Sequence, residues 1–456
     1  MVGVPGRSKA CTTCKKRRKG CDFQRPVCGQ CRKGGLACEG YARPRTFVSW
    51  APPKGGPSTV VHTADIVLSH ELTRSAYEEK LLGLHWETYL PNGCDFCCSS
   101  EVRHILGGWT TAVRELLVTD ALLKKSVLAL CLTTVARRDG VVWMAEQGLS
   151  AYVSGLQEMA VALQVPSRAR SDALLCAVKM FSLYEAIHGA DRRDRDAQAK
   201  SWLTHCHGEI SLIRLGGPSY YQFGRAHRLF ADGRLHQISV ALRTRRRSFL
   251  ADPGWKILPW KWHPKTIKDT LLDILADTTE LLEELDALNA CSDPGDKGWR
   301  RAGLAEKCWL FDRALVAWQA SSMPTLVGLG EQAVAASADF VSAEALAAAH
   351  ASTLYSTACL IVYTTLAAVV KPQAVMPART NPNTHCRDIL LGVSIFFHPA
   401  VGTFRAHLAT LPIAVVLAVV NIAGPRVMEE ERGRLMGILA RPEAAGIERL
   451  LHSMQV

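Results

Sequence analysis

Six cysteines between residues 11 and 38 constrain this 456-residue chain more tightly than any other feature. They stand at Cys11, Cys14, Cys21, Cys28, Cys31 and Cys38, so that C-x2-C-x6-C is followed by a copy of itself offset by 17 residues. Each C-x2-C pair puts two thiolates close enough to clamp one metal ion, and the third cysteine closes the site from the other side. A structural zinc takes four tetrahedral ligands. Two zincs need eight ligand positions, and six thiolates supply them only if two sulfurs are shared. By the symmetry of the repeat, the shared pair is Cys11 and Cys28. The competing use of so many cysteines is a disulfide framework, which belongs to short secreted chains. Residues 1–10, MVGVPGRSKA, contain no apolar stretch of the kind a secretory signal needs and read as a basic arm. Metal-bound thiolates in such a chain imply a reducing compartment, the nucleus and cytosol.

The segment resembles the fungal-type binuclear zinc cluster of transcription regulators. That pattern has these spacings, a basic run between the second and third cysteines, and a proline in the connecting loop, where Pro26 stands. The resemblance implies two Zn²⁺ per chain, double-stranded DNA as partner, a nuclear location, and a role in transcription by RNA polymerase II. The charge distribution agrees with it. Residues 1–46 hold 12 Lys and Arg against 2 Asp and Glu, while the whole chain is only +12. Nearly all the excess positive charge therefore sits in a tenth of the length, where it can neutralise phosphates and release their counterions.

The two halves of the repeat differ. The first carries Lys15, Lys16, Arg17, Arg18 and Lys19 in succession; the second carries only Arg32 and Lys33, followed by Gly34 and Gly35. With a short helix after each C-x2-C, the first half should face the duplex. Arginine suits bidentate contact with guanine O6 and N7 in the major groove. In the family, the basic pair matching Arg17 and Arg18 ends the first helix, and its second member contacts a CGG triplet. The resemblance thus assigns base readout to Arg18 with Arg17 in support, and leaves Lys15, Lys16 and Lys19 for phosphates. The same run also reads as a nuclear-import signal.

Three regions follow from composition: the cluster at 1–40, a basic Pro/Gly-rich linker at 41–75, and a helical region at 76–456. Within the linker, Ala51-Pro-Pro-Lys-Gly-Gly-Pro-Ser continues neither a helix nor a central strand. No three-heptad pattern follows the cluster, so the homodimer common among such regulators gains no support from a coiled coil. Beyond it, apolar residues at helical spacing predict helices at 72–90, 101–117, 119–137, 140–164, 169–188, 197–215, 225–247, 265–290, 300–320, 331–370, 385–397, 404–423 and 426–453. The last should break at Pro442. The fold class is mainly α, a small cluster domain with two short helices followed by a large all-α regulatory domain. Ser201-Trp202, His205, His207-Gly208, Leu212-Ile213, Gly216-Gly217, Arg234, Ser248-Phe249, Pro253 and Trp255 resemble the fungal-specific transcription factor domain. That resemblance implies a regulatory role and carries over no catalytic residues.

Other features have plainer readings. His205-Cys206-His207 looks like a metal motif, but neighbours one and two apart on a helix point to different sides. Cys94, Cys97 and Cys98 lack a fourth ligand nearby and read as core or reactive thiols. Gly216-Gly217-Pro218 is a helix stop rather than a phosphate loop. Arg243, Arg245, Arg246 and Arg247 read as a solvated helix end, and the seven acids from Asp269 to Asp286 as one face of a packed helix. A recruiting surface for transcriptional coactivators is the other use of such an acidic stretch. Ala351 to Val370 has no charge over 20 residues, and Leu411 to Val420 is apolar around Pro412; both read as buried core helices without a membrane partner.

The sequence therefore points to a sequence-specific DNA-binding transcription regulator recognising CGG-type elements, without enzymatic activity. Relatives with this pairing of domains often control secondary-metabolite gene clusters. The competing class is a zinc module fused to a metabolite-binding or enzymatic helical domain. It would require a cofactor fingerprint or a motif such as HExxH or GxSxG, and the sequence contains none.

Overall fold

In the computed structural model the described residues are 10–41, 70–94, 102, 105–189, 195–371, 373–423 and 428–452. They divide into two units, Met1–Val67 and Leu68–Val456. The basic arm before Ala10, most of the linker, Cys97 and Cys98 lie outside the described residues.

The first unit contains two short helices, α1 (Thr12–Lys16) and α2 (Gly29–Lys33), each beginning directly after a cysteine. In the second unit the helices are α3 (His70–Tyr89), α4 (Trp109–Leu117), α5 (Ala121–Asp139), α6 (Val142–Leu163), α7 (Pro166–Ala169), α8 (Asp172–Ile187), α9 (Arg195–Gly216), α10 (Gly224–Thr244), α11 (Pro253–Ile257), α12 (Ile267–Ala290), α13 (Pro294–Gln332), α14 (Ala343–Val369), α15 (Pro382–Gly392), α16 (Arg405–Ala423), α17 (Glu429–Leu439) and α18 (Ala445–His452). Among the described residues there is no strand beyond an isolated bridge between Ser337 and Phe340.

Local chemistry sets many of the boundaries. Asp120, Ser171 and Ser342 accept from backbone N–H groups in the first turns of α5, α8 and α14, and Thr266 with Asp269 forms a capping box on α12. Gly140, at φ 69°, ends α5 in the left-handed conformation. Pro442 breaks the last helical stretch as the sequence implies.

The predicted boundaries fail around Pro324. The sequence suggests a break after 320 and one helix over 331–370, but α13 runs for 39 residues through Pro324 and ends at Gln332. Proline removes one N–H from the ladder. Packing beyond it compensates, because Leu329 is buried and Leu326 rests on the core. The next helix then waits for its cap at Ser342.

Helix α14 crosses the core. Its buried hydroxyls at Thr353, Thr357 and Thr365 donate to carbonyls one turn earlier, at 3.0, 2.6 and 2.9 Å, so none is stranded in apolar surroundings. This helix and the segment Pro399–Ile422 are each long and apolar enough to cross a membrane, yet 72% and 61% of their most apolar windows are buried within the protein. They are core helices.

The acidic face of α12 and the basic stretch ending α10 explain each other. Arg245 holds Asp286 at 2.6 Å, Arg246 holds Glu283 at 3.0 Å, and Arg247 reaches Glu280 at 3.6 Å. Lys256 pairs with Asp277, Lys307 with Glu284, and Arg234 with Asp269 and Asp273. All seven acids therefore have an internal basic partner, which argues against an exposed recruiting surface. The arginines are not simply solvated, as the sequence suggested, but bound to a neighbouring helix.

These pairs differ in weight because their burial differs. Arg234 is 1% exposed, whereas the Arg246 side chain is 74% exposed. We expect Arg234→Ala to destabilise the helical unit by ~3 kcal/mol or more, since it takes the ionic partner from buried Asp269 and leaves Asp273 only Lys265. Arg246→Ala should cost less than ~1 kcal/mol. Denaturant unfolding of the two variants, followed by circular dichroism, checks the contrast.

Candidate metal centre and nucleic-acid interface

Cys11 and Cys28 occupy equivalent positions as the N-cap residues of α1 and α2. Each is extended, and each Sγ accepts from the backbone N–H three residues on, that of Cys14 or Cys31, at 3.3 Å. One sulfur thus both caps its helix and faces the centre of the module. The thiols form two overlapping groups, Cys11-Cys14-Cys21-Cys28 and Cys11-Cys28-Cys31-Cys38, with the sulfurs of each group within 4.8 Å of one another. Cys11 and Cys28 belong to both groups, and their sulfurs lie 3.6 Å apart.

This arrangement fits zinc. A Zn–S bond of about 2.3 Å implies a tetrahedral edge of about 3.8 Å. The Cys11–Cys28 and Cys11–Cys31 separations of 3.6 and 3.8 Å match it. Without a cation, so dense a set of sulfurs resists ionisation at its centre. Burial pushes the Cys14 thiol up and the Cys31 thiol up to about 12, while the Cys11 N–H holds the peripheral Cys21 down to about 6. Metal ions supply the positive charge that lets the whole set become thiolate.

Three residues that sequence reading did not single out brace the cluster. Asp22 Oδ1 accepts from Gly29 N at 2.9 Å at the start of α2. Thr13 Oγ1 donates to Ala37 O at 3.1 Å and accepts from Glu39 N at 2.9 Å, fastening the last strap of the module to α1. Tyr41 places its hydroxyl 3.6 Å from Cys21 Sγ and donates to Gln24 O at 2.9 Å, with the Arg25 guanidinium over its ring. Only an aromatic just past the sixth cysteine marks this contact in the sequence.

The basic run lies along α1 and its exit, and Lys15 through Lys19 are all exposed. Arg17 is the C-cap, and Arg18 is left-handed at φ 51°. The 17-residue repeat places Gly34 and Gly35 at the same two positions after α2, with Gly35 at φ 59°. The closing bonds also correspond: Lys19 N to Cys14 O at 3.1 Å, and Leu36 N to Cys31 O at 3.0 Å. One turn geometry thus carries two arginines in one half and two glycines in the other. Lys16 is ion-paired with Glu39 at 2.8 Å, a contact the sequence did not foretell.

The other candidates disperse. His205 faces Tyr152 at 2.9 Å, Cys206 faces His236 at 3.2 Å, and His207 is exposed, so the helix separates the three as its geometry requires. Cys94 is exposed rather than in the core. Gly217, at φ 71°, ends α9 ahead of Pro218.

Residues 9–46 match the sequence model of the fungal Zn(2)-Cys(6) binuclear cluster domain, a domain that binds two zinc ions. A C6 finger domain transcription factor of Aspergillus fumigatus, hasF, is 40% identical over 75 residues. The match covers 16% of this chain and 10% of that protein, so the chain spans about a tenth of the curated relative's length. No solved structure matches.

We expect atomic emission to give two zincs per chain; a single zinc would contradict the shared-sulfur arrangement. The left-handed site gives a second test. Arg18→Gly should leave the module's stability unchanged or raise it by up to ~1 kcal/mol, because glycine takes this conformation freely. Arg18→Val should lose ~1–2 kcal/mol, since a β-branched residue is poorly tolerated there. The chelator concentration that unfolds each variant reports the order.

Proposed function

We propose that this chain is a nuclear, sequence-specific DNA-binding regulator of transcription by RNA polymerase II. In this reading Cys11, Cys14, Cys21, Cys28, Cys31 and Cys38 hold two zinc ions, with Cys11 and Cys28 bridging, and the module reads CGG-type elements. The observation that carries the proposal is the Arg17-Arg18 pair standing where the repeat has Gly34-Gly35. A purely structural module would have glycine at both left-handed positions. An arginine held there against its conformational preference points to a use for its side chain. Zinc fixes the turn, and the turn projects Arg18 towards base edges with Arg17 in support. Lys15, Lys16 and Lys19 contact phosphates.

The helical unit serves regulation rather than catalysis in this proposal, as its resemblance to the fungal-specific transcription factor domain implies. Control of a secondary-metabolite gene cluster is the physiological setting we assign, on the strength of that pairing of domains. Homodimerisation and coactivator recruitment belong to the same reading. The acid–base pairing along α12 means that coactivators would need another surface.

Base contacts specify, whereas phosphate contacts position. Arg18→Ala should therefore cost ~1–3 kcal/mol on a CGG-containing duplex and much less on a scrambled one. Lys16→Ala should weaken both alike and lower the salt slope by about one. Its effect will be blunted to the extent that Glu39 keeps Lys16 from the DNA. Titrating the full chain and both variants on the two duplexes across a salt series tests this. An equal loss for Arg18→Ala on both would make its role electrostatic only.

A further inference from the structure

A second group of reactive side chains lies in the helical unit, where α8, α9 and α10 meet. Cys206 and Glu209 are three apart on α9 and share a face, and His236 of α10 stands between them. Cys206 Sγ is 3.2 Å from His236 Nε2, and His236 Nδ1 is 3.0 Å from Glu209 Oε2. The other carboxylate oxygen, Oε1, accepts from Lys179 of α8 at 2.5 Å and from Gln237 Nε2 at 3.4 Å. Ser182 Oγ lies 3.7 Å from the thiol and 3.5 Å from the imidazole. Thiol, imidazole and fixed carboxylate thus form a continuous relay.

The roles follow from donor inventory. A carboxylate only accepts, so His236 Nδ1 carries a proton towards Glu209, and Nε2 is left facing the sulfur. Burial lowers the basicity of the His236 ring, but Cys206 and Glu209 outweigh it and raise the ring to about 10. Glu209, although buried, is held down to about 2 by Lys179 and His236. The Arg243 guanidinium, which lies over Trp202, is close enough to interact electrostatically with this sulfur, as His407 is with the imidazole. His236 and Arg243 thus set positive charge close to the Cys206 sulfur. Among the described residues, no imidazole bonds the other buried cysteines of the unit. Burial pushes Cys131, Cys176, Cys308, Cys359 and Cys386 up, the last four to about 12.

We infer that Cys206 is a peroxide-reactive modification site, with His236 placed to take the thiol proton and to return it to the departing oxygen. The thiolate attacks one peroxide oxygen, an S–O bond forms, and the O–O bond breaks. The released hydroxide takes the Nε2 proton from the imidazolium and leaves as water, giving sulfenic acid and neutral imidazole. Sulfur loses two electrons and the peroxide gains them. The thiol is only 1% exposed, but the His236 side chain beside it is 25% exposed. A water-sized oxidant can approach over that ring edge, and a bulky reagent cannot.

The test uses the zinc-loaded full chain and hydrogen peroxide. Timed samples are denatured into dimedone, and sulfenic acid is read at each cysteine by peptide mass spectrometry. We expect Cys206 to oxidise about tenfold or more faster than Cys131 and Cys359, and His236→Gln to bring it within about twofold of them. A Cys206 rate no greater than that of Cys131 overturns the inference, as does an unchanged rate in folded His236→Gln. The comparison of Cys206 with Cys131 and Cys359 in the unmodified chain decides the matter even if that variant fails to fold. Neither outcome bears on DNA recognition, which involves other residues.

Discussion

Sharing Cys11 and Cys28 between two tetrahedral sites, as we propose, is the constraint on which the rest of the first unit depends. Among the described residues the unit has almost no apolar core: its buried cluster is Cys11, Cys14, Cys28 and Cys31, flanked by Ala10, Cys21, Cys38 and Tyr41. A module of this size cannot bury enough apolar area to offset the entropy of ordering its chain. Metal–thiolate bonds replace that term. Two five-residue helices would not persist alone, but the sulfurs that hold the metal also cap them. Folding, metal binding and the placement of Arg18 are consequently one event.

The helical unit uses charge in another way. Outside residues 1–46 the chain has 42 Lys and Arg against 40 Asp and Glu, close to balance. Along α12 the balance is local, each acid meeting a base from another segment. Exposed pairs of this kind add little energy individually, though they do set which helix faces lie together. Arg234 is different. It is buried, and its two carboxylate partners make it costly to remove without making it a large net source of stability. In the proposed function, long-range attraction for DNA therefore comes from the first unit.

The sequence revealed the metal centre because spacing is a covalent property: C-x2-C-x6-C repeated at 17 residues leaves few ways to arrange two ions. It also revealed most helices, whose apolar periodicity matches the faces they bury. It failed where tertiary packing decided. Helix α13 passes Pro324 because Leu326 and Leu329 have a core to meet, and the sequence does not show that surface. The Arg245–Asp286 and Lys16–Glu39 pairs join residues 41 and 23 apart, beyond any local rule. The helix separates His205, Cys206 and His207 as its geometry requires, yet the partner of Cys206 was invisible because His236 lies 30 residues away on another helix.

Arg18 shows why the repeat is only approximate. Both halves must close their helix with a left-handed residue so that the chain can turn back towards its third cysteine. Gly35 meets that demand without a side chain. Arg18 meets it at a conformational cost of about 1–2 kcal/mol, which zinc binding can readily absorb. The position gains in return a guanidinium whose attachment point is fixed by the cluster rather than by a flexible loop. Less conformational freedom then remains to be lost on binding. An arginine one residue earlier or later would keep the charge but sit on backbone with a different direction. In the function we propose, the strained position, more than the number of basic residues, suits this half of the repeat to reading a base.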